Sequence, residues 1–456
     1  MRLLSTCVDE RLKKGGELFF HRILERKTVK PRVLSDTMAE KKRFERWLRH
    51  KEVTMKRIIE TEQRRVQTLV TGRHVLAIQD TTEINDAWNA GRHSGLGTVG
   101  NGKDAGFFMH PMLVIDALTG AGIGYAEAHL WNRTKGADKH YEKLPIEEKE
   151  SYRWITTAEK SKATLSSAAC VTFIGDREND IYEYLDRIPD ANTHVIVRVR
   201  CDRKLLHEST LLYGYLDQLP ASGELTIKVA GDARQNRKKR KARLALKYHA
   251  VTLARPGNCS DRFASSSITL SVVEAKEIDY PEHEEPIHWR LYTTHQITTQ
   301  EEAVQLITWY CMRWLIEQVF RTLKSQGLGL EETPTESAQA LMKLSLLALS
   351  AAIQIIQLVY ARDGTTTQQT ALLFTPEEQR FLTVLASKTA GKTEKQKNPY
   401  PQENLAWATW IIARLGGWKG DTSSEGWPGP IVVARGIRRF YDMLHGWKLY
   451  KDMSAG

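Results

Sequence analysis

From "DERLKKGGELFFHRILERK" to "MKRIIETEQRRVQTLV", apolar residues recur three or four positions apart between charged ones, with an interruption near Pro31. That spacing predicts amphipathic helices. The pattern then changes to short apolar runs. "HVLAIQDTTEI" predicts a strand that breaks into polar residues at Asp80, and "FFMHPMLVIDALTGAGIGYAEAHLW" predicts two strands joined by the Gly-rich turn "LTGAG". A polar helix follows in "EEKESYRWITTAEKSKATLSSA", then a strand in "VTFIGDREND" that ends on Asp176, a helix in "DIYEYLDRI" and a strand in "THVIVRVRC". The order is three strands, helix, strand, helix, strand.

Between Cys201 and about Pro286 the spacing turns to alternation, in "GELTIKVA", "ARLALKYHAVTL" and "ITLSVVEAKEI". This predicts a strand-rich insertion within an α/β core. Helical spacing resumes at "TQEEAVQLITWYCMRW" and again after about Arg362, where a Lys-rich linker, "SKTAGKTEKQKN", intervenes. No internal repeat is visible. The expected organisation is a helical module over 1–74, an α/β domain over 75–361 with an insertion at about 202–288, and a helical module over 362–456.

Composition changes this picture in one respect. A chain of 456 residues, 41% hydrophobic and 27% charged, is ordinary for two or three globular domains. Its charge is not evenly spread, because residues 1–74 hold 20 Lys or Arg against 10 Asp or Glu, so +10 of the net +11 sits there. A basic module suggests a polyanion such as DNA or RNA, although a solvated helical surface carries charge in the same way. A second basic cluster, "RQNRKKRKAR", includes Arg237, Lys238 and Arg240 in the insertion. It suits phosphate contacts along a DNA backbone, and a solvated loop has the same composition. The most apolar run, "LSLLALSAAIQIIQLV", is short for a membrane span, contains Ser and Gln, and reads as a buried helix. "MRLLSTCVDE" lacks the apolar region of a signal peptide. Cys7, Cys170, Cys201, Cys259 and Cys311 are scattered, which argues against a zinc site or a disulfide framework and for a reducing cytoplasm.

The candidate chemistry lies in the acids. Asp80 and Asp176 each end an apolar strand, so neighbouring strands would bring two carboxylates to one sheet edge. Like charges there call for a cation, and oxygen-only ligands suit Mg²⁺ or Mn²⁺. Acids also end strands simply to cap the next helix. In "YCMRWLIEQVFRTLK", read as one helix, Tyr310, Arg313, Glu317 and Lys324 fall within an arc of about 60°. Leu315, Ile316, Val319 and Leu323 lie opposite, free to pack on the sheet. The polar stripe could complete a metal site and hold phosphates, and an ordinary amphipathic helix shows the same spacing.

"IQDTTEI", "IGDREND" and "YCMRWLIEQVFRTLK", in that order, resemble the bacterial cut-and-paste transposases of the insertion-sequence-4 group, most closely the transposon-5 branch. "HWRLYTT" and "WATWIIARLGGW" resemble the strand before that family's Glu helix and a segment near its dimer contact. The resemblance covers most of the chain from about Val75. It implies a ribonuclease-H-like core with a β insertion, flanked by a basic helical DNA-binding domain and a helical dimerisation domain. It implies an acidic triad of Asp80, Asp176 and Glu317 holding two Mg²⁺ ions, with Mn²⁺ able to substitute. Tyr310, Arg313 and Lys324 carry over as DNA contacts, with Arg198 as a further phosphate contact and Trp289 and Trp314 as base-stacking side chains. The implied activity is end nicking, hairpin formation, hairpin opening and strand transfer on double-stranded DNA. The partners are transposon terminal repeats, target DNA and a second copy of the chain, in a bacterial cytoplasm at the nucleoid. The N-terminal stretch "RFERWLRHKEV" matches only loosely, and the chain begins later than that family's members. Two other expectations therefore stand beside it, a nuclease that only hydrolyses DNA and an N-terminally shortened regulator that binds DNA or dimerises.

Overall fold

The computed structural model of the chain describes residues 9–86, 95–100, 102, 104–133, 144–229, 239–259, 261–282, 284–324, 327–335, 337–365, 368–391 and 393–454. Four helices come first: α1 (Glu10–Arg26), α2 (Pro31–Leu34), α3 (Met38–Arg49) and α4 (Met55–Leu69). Side chains of Asp9, Thr37 and Thr54 cap α1, α3 and α4 by accepting from free backbone amides. Pro31 begins α2 at the position where a missing N–H costs nothing.

The strands β1 (His74–Gln79), β2 (Thr82–Asn85), β3 (Gly97–Val99), β4 (Asp104–Asp116) and β5 (Gly122–Trp131) follow. Helix α5 (Tyr152–Leu165), β6 (Cys170–Gly175), α6 (Tyr182–Arg187) and β7 (Thr193–Arg198) complete the central α/β unit. β1 pairs in parallel with β6, and β6 in parallel with β7. β4 runs antiparallel to β1 and β2 on one edge and to β5 on the other, since Met112 opposes both Gln79 and Glu127.

The insertion contains α7 (Leu212–Gln218), β8 (Gly223–Val229), β9 (Arg240–Ala254) and β10 (Ser267–Ile278), and β11 (His288–Thr293) returns the chain to the core. These strands do not form a separate sheet. β11 pairs with β7, and β10, β9 and β8 continue outward, giving one mixed sheet of eleven strands among the described residues. A large mixed sheet of this kind is consistent with a ribonuclease-H-like domain.

Alternate side chains of β1 enter opposite apolar layers, with Leu76 and Ile78 on one face and Val75 and Ala77 on the other. Cover on both faces explains why this strand reads as a continuous apolar run. The first layer belongs to α8 (Gln300–Cys311), α9 (Trp314–Leu323), α10 (Ala338–Ala361), α11 (Pro376–Thr389), α12 (Leu405–Leu415), α13 (Thr422–Glu425) and α14 (Pro430–Ser454), except that short α13 contributes no core residue. α10 is the one described helix long and apolar enough to cross a membrane, with a mean hydropathy of 1.9, yet 89% of that window is buried in the protein. It is apolar all round because α1, α3, α4, α9, α12, α14 and β5 surround it. The N-terminal helices share this core, and the buried Lys343 ammonium donates to the Leu48 carbonyl at 2.7 Å.

Candidate active site

Parallel pairing sets Ile78 of β1 opposite Ile174 of β6. Two residues further along each strand, Asp80 and Asp176 leave the sheet at the same level on neighbouring strands, which lie about 4.8 Å apart. Burial pushes the Asp80 carboxyl up and the charge of Asp176 adds to it; Arg313 and the Thr81 amide oppose them, Glu317 adds again, and the net value is about 6. The three acids thus lie within electrostatic reach of one another. Asp176 also caps a single 3₁₀ turn, accepting from the Glu178 amide at 2.8 Å.

Glu317 stands in the first turn of α9. The segment read as one helix is in fact two. α8 ends at Cys311 and α9 starts at Trp314, because Met312, Arg313, Leu315 and Ile316 donate to carbonyls only three residues back. Tightening to three residues per turn changes the phase between α8 and α9, yet Arg313 still bonds Glu317 and lies beside Tyr310. Tyr310 turns inward, 6% exposed, its ring edge-on to Trp289 at 6.2 Å. Leu315, Ile316, Val319 and Leu323 are buried as expected, in the layer that also receives Leu76 and Ile78 of β1, and α9 packs on α10 as well.

Arg313 joins the parts. Its Nη1 donates to Asp80 Oδ2 at 2.9 Å and its Nη2 to Glu317 Oε1 at 2.6 Å. Burial works against the guanidinium's charge, but Asp80, Tyr310 and Glu317 outweigh it and raise the Arg313 pKa. Among the described residues no group of three or more His, Cys, Asp or Glu is spaced to hold a metal ion. At the triad, a guanidinium already neutralises two of the carboxylates. The donor set itself still suits a hard divalent cation, being all oxygen, with Asp80 raised by both other acids.

The other expected residues are only partly brought together. Arg198 ends β7, level with Asp176 by the register of Gly175 with Val197, and lies beside the Tyr310 hydroxyl, whose pKa burial raises despite Arg198 and Arg313. Trp289 is half-buried on β11, whereas Trp314 is 49% exposed with the Arg321 guanidinium over its ring. Lys324 sits 3.6 Å from Glu331. Arg240 is not a free cation: Glu277 and Glu284 hold it. Two acids on neighbouring segments of the insertion claim this side chain, which sequence spacing could not reveal. Arg237 and Lys238 lie outside the described residues.

Sequence reasoning missed the polar residues behind the acids. The Thr81 amide donates to Asp80 Oδ1 at 2.8 Å, and the Thr81 hydroxyl meets Arg153 Nε at 2.9 Å and His110 Nδ1 at 2.9 Å. His110 Nε2 lies 3.1 Å from Gln79 Oε1, and Gln79 Nε2 donates to the Tyr184 hydroxyl at 2.9 Å. Burial, with Arg153 and His129, holds His110 well below the usual imidazole value. A histidine inside the apolar run "FFMHPMLVID" was the available signal.

Residues 129–353 match the family model described as the transposase DDE domain. The matched segment runs from β5 into α10 and contains Asp176 and Glu317, while Asp80 precedes it. The match supports a transposase of the class that uses two aspartates and one glutamate on DNA.

Proposed function

We propose that this chain is a divalent-metal-dependent DNA transposase acting by cut-and-paste, of the insertion-sequence-4 type and nearest the transposon-5 branch. The observation that carries the reading is the level placement of Asp80 and Asp176 on adjacent parallel strands, with Arg313 joining Asp80 to Glu317. Asp80, Asp176 and Glu317 would hold two Mg²⁺ ions, or Mn²⁺ in their place. Bound there, the ions supply Lewis-acid activation of the attacking water or 3′ hydroxyl and stabilise the leaving 3′ oxygen.

The protein's own groups orient the DNA. Arg313 and Arg198 present cations beside the acids for backbone phosphates, the buried Tyr310 hydroxyl holds Arg198 in place, and Lys324 at the far end of α9 would take a phosphate further along. Trp314, exposed beside Arg321, offers a face for an unstacked base, and half-buried Trp289 is the other candidate. Met443, Leu449, Tyr450 and Met453 on α14 are 45–83% exposed and favour contact with a second copy of the chain. Sedimentation of the DNA complex measures that pairing, and a monomer would refute it. We place the enzyme in the bacterial cytoplasm, at the nucleoid.

The test is Asp80→Ala, Asp176→Ala and Glu317→Ala, each expected to bind terminal-repeat DNA and to lose Mg²⁺-dependent cleavage. Any variant that cleaves normally removes that residue from the triad. Joining of a supplied 3′ end to target DNA separates a transposase from a hydrolysing nuclease, and absence of terminal-repeat binding would favour a regulator.

A further inference from the structure

The two aspartate-bearing turns are tied to each other by a path that runs through neither Arg313 nor Glu317. Thr81 gives its amide to Asp80 Oδ1 at 2.8 Å and receives Arg153 Nε on its hydroxyl at 2.9 Å. The same guanidinium donates through Nη2 to Glu178 Oε2 at 2.7 Å, and the Glu178 amide donates to Asp176 Oδ1 at 2.8 Å. Arg153 comes from α5, an element that carries neither acid, and its Nη1 is anchored on the Glu150 carbonyl at 3.0 Å. Its side chain is 12% exposed and lies near the rings of Trp131 and Trp154, so its position is largely set by packing.

A second arm fixes the Thr81 hydroxyl. As Gln79 donates its amide to Tyr184, its oxygen faces His110 Nε2 and accepts from it. The neutral His110 ring then presents Nδ1 as an acceptor, and the Thr81 hydroxyl donates to it at 2.9 Å. One hydroxyl is therefore both acceptor for Arg153 and donor to His110, which fixes its direction.

We infer that Thr81 and Arg153 are positioning residues that set the separation of the Asp80 and Asp176 carboxylates, and so the affinity of the triad for divalent metal. The inference rests on the functional reading above. A guanidinium spans this gap because its nitrogens form a rigid fork, and a lysine cannot reach Thr81 and Glu178 together. Side chains that orient metal ligands from behind are typically worth ~10–100-fold in metal affinity or activity.

The test is direct Mn²⁺ binding to the full chain, read from the paramagnetic resonance signal of free Mn²⁺, beside thermal melting and terminal-repeat affinity without metal. Thr81→Val removes the hydroxyl and keeps the side chain's shape and the amide bond to Asp80. It is expected to weaken Mn²⁺ binding ~10-fold or more, with metal-free DNA affinity unchanged and a cooperative melting transition retained at a lower temperature, because the buried His110 nitrogen loses its partner. Thr81→Ser restores the hydroxyl and is expected to bind Mn²⁺ as the wild type does. Arg153→Lys, which keeps the charge near Glu178, is expected to match Thr81→Val and carries the test alone if Thr81→Val fails to fold. Wild-type Mn²⁺ affinity in either folded variant, or a Thr81→Ser as weak as Thr81→Val, overturns the inference. A wild-type chain that binds Mn²⁺ no better than Asp80→Ala overturns the functional reading and the inference with it.

Discussion

Lys27 closes α1 in a left-handed conformation, φ 49°, and its Nζ is buried with no hydrogen-bond partner among the described residues. The small cavity around it, about 20 Å³, is lined by Leu24, Ile355, Leu358, Phe374 and Tyr441 among others, where α1 meets α10 and α14. Burial alone pulls the ammonium from its ordinary 10.5 down to about 7. Above about 7 the folded chain sheds this proton while the unfolded chain keeps it until about 10.5, so stability rises with pH across that window and the penalty is complete below it. At 1.36 kcal/mol per unit, the penalty at pH 7 is about 4 kcal/mol, a ceiling that local relaxation lowers. Lys27→Met keeps the stem's volume and removes the charge. Urea denaturation at several pH values should show the variant more stable by up to about 4 kcal/mol at pH 7, with the gain shrinking toward zero near pH 10. A gain that does not change with pH, or a destabilised variant, would refute the reasoning.

Three more outcomes follow from the packing. A Cβ on Gly436 would lie 1.8 Å from the Ile412 carbonyl where α14 crosses α12, so Gly436→Ala should cost about 3 kcal/mol by thermal melting. A variant that melts like the wild type would refute this close approach. Arg240→Gln uncovers Glu277, whose side chain is 1% exposed, and should lower the melting temperature while leaving the salt dependence of DNA affinity unchanged. A reduced slope of log affinity against log salt would instead make Arg240 a phosphate contact. Trp314→Ala should slow hairpin formation more than first-strand nicking, since base–aromatic stacking is worth ~1–3 kcal/mol; equal rates would remove the stacking role.

Local patterns pick out the candidate acids. Asp80 and Asp176 each follow a run of apolar residues, and such a run is legible because a strand covered on both faces admits nothing else. The capping boxes at Thr299 and Thr375 and the all-apolar α10 were open to the same reading, since each depends on neighbours within a few residues or on burial alone. The likeness of three short motifs to a known family then suggested grouping these acids with Glu317.

What the one-dimensional pattern could not decide was direction and partnership. A helical wheel assumes one unbroken helix, but Tyr310 belongs to the buried face of α8 with Ala303, Leu306 and Ile307, and Glu317 to α9, beyond a run of three-residue hydrogen bonds. Arg240 reads as a free cation until β10 and the segment after it bring Glu277 and Glu284 alongside. Thr81, His110 and Arg153 lie far apart in sequence, on a strand end, a neighbouring strand and a helix, and no spacing rule joins them. Sequence by itself determined which residues carry charge and which segments bury themselves, because both are properties of short windows. Tertiary structure alone decided which charges meet, because a hydrogen bond across 72 or 233 positions exists only once sheet register and helix packing have set its length.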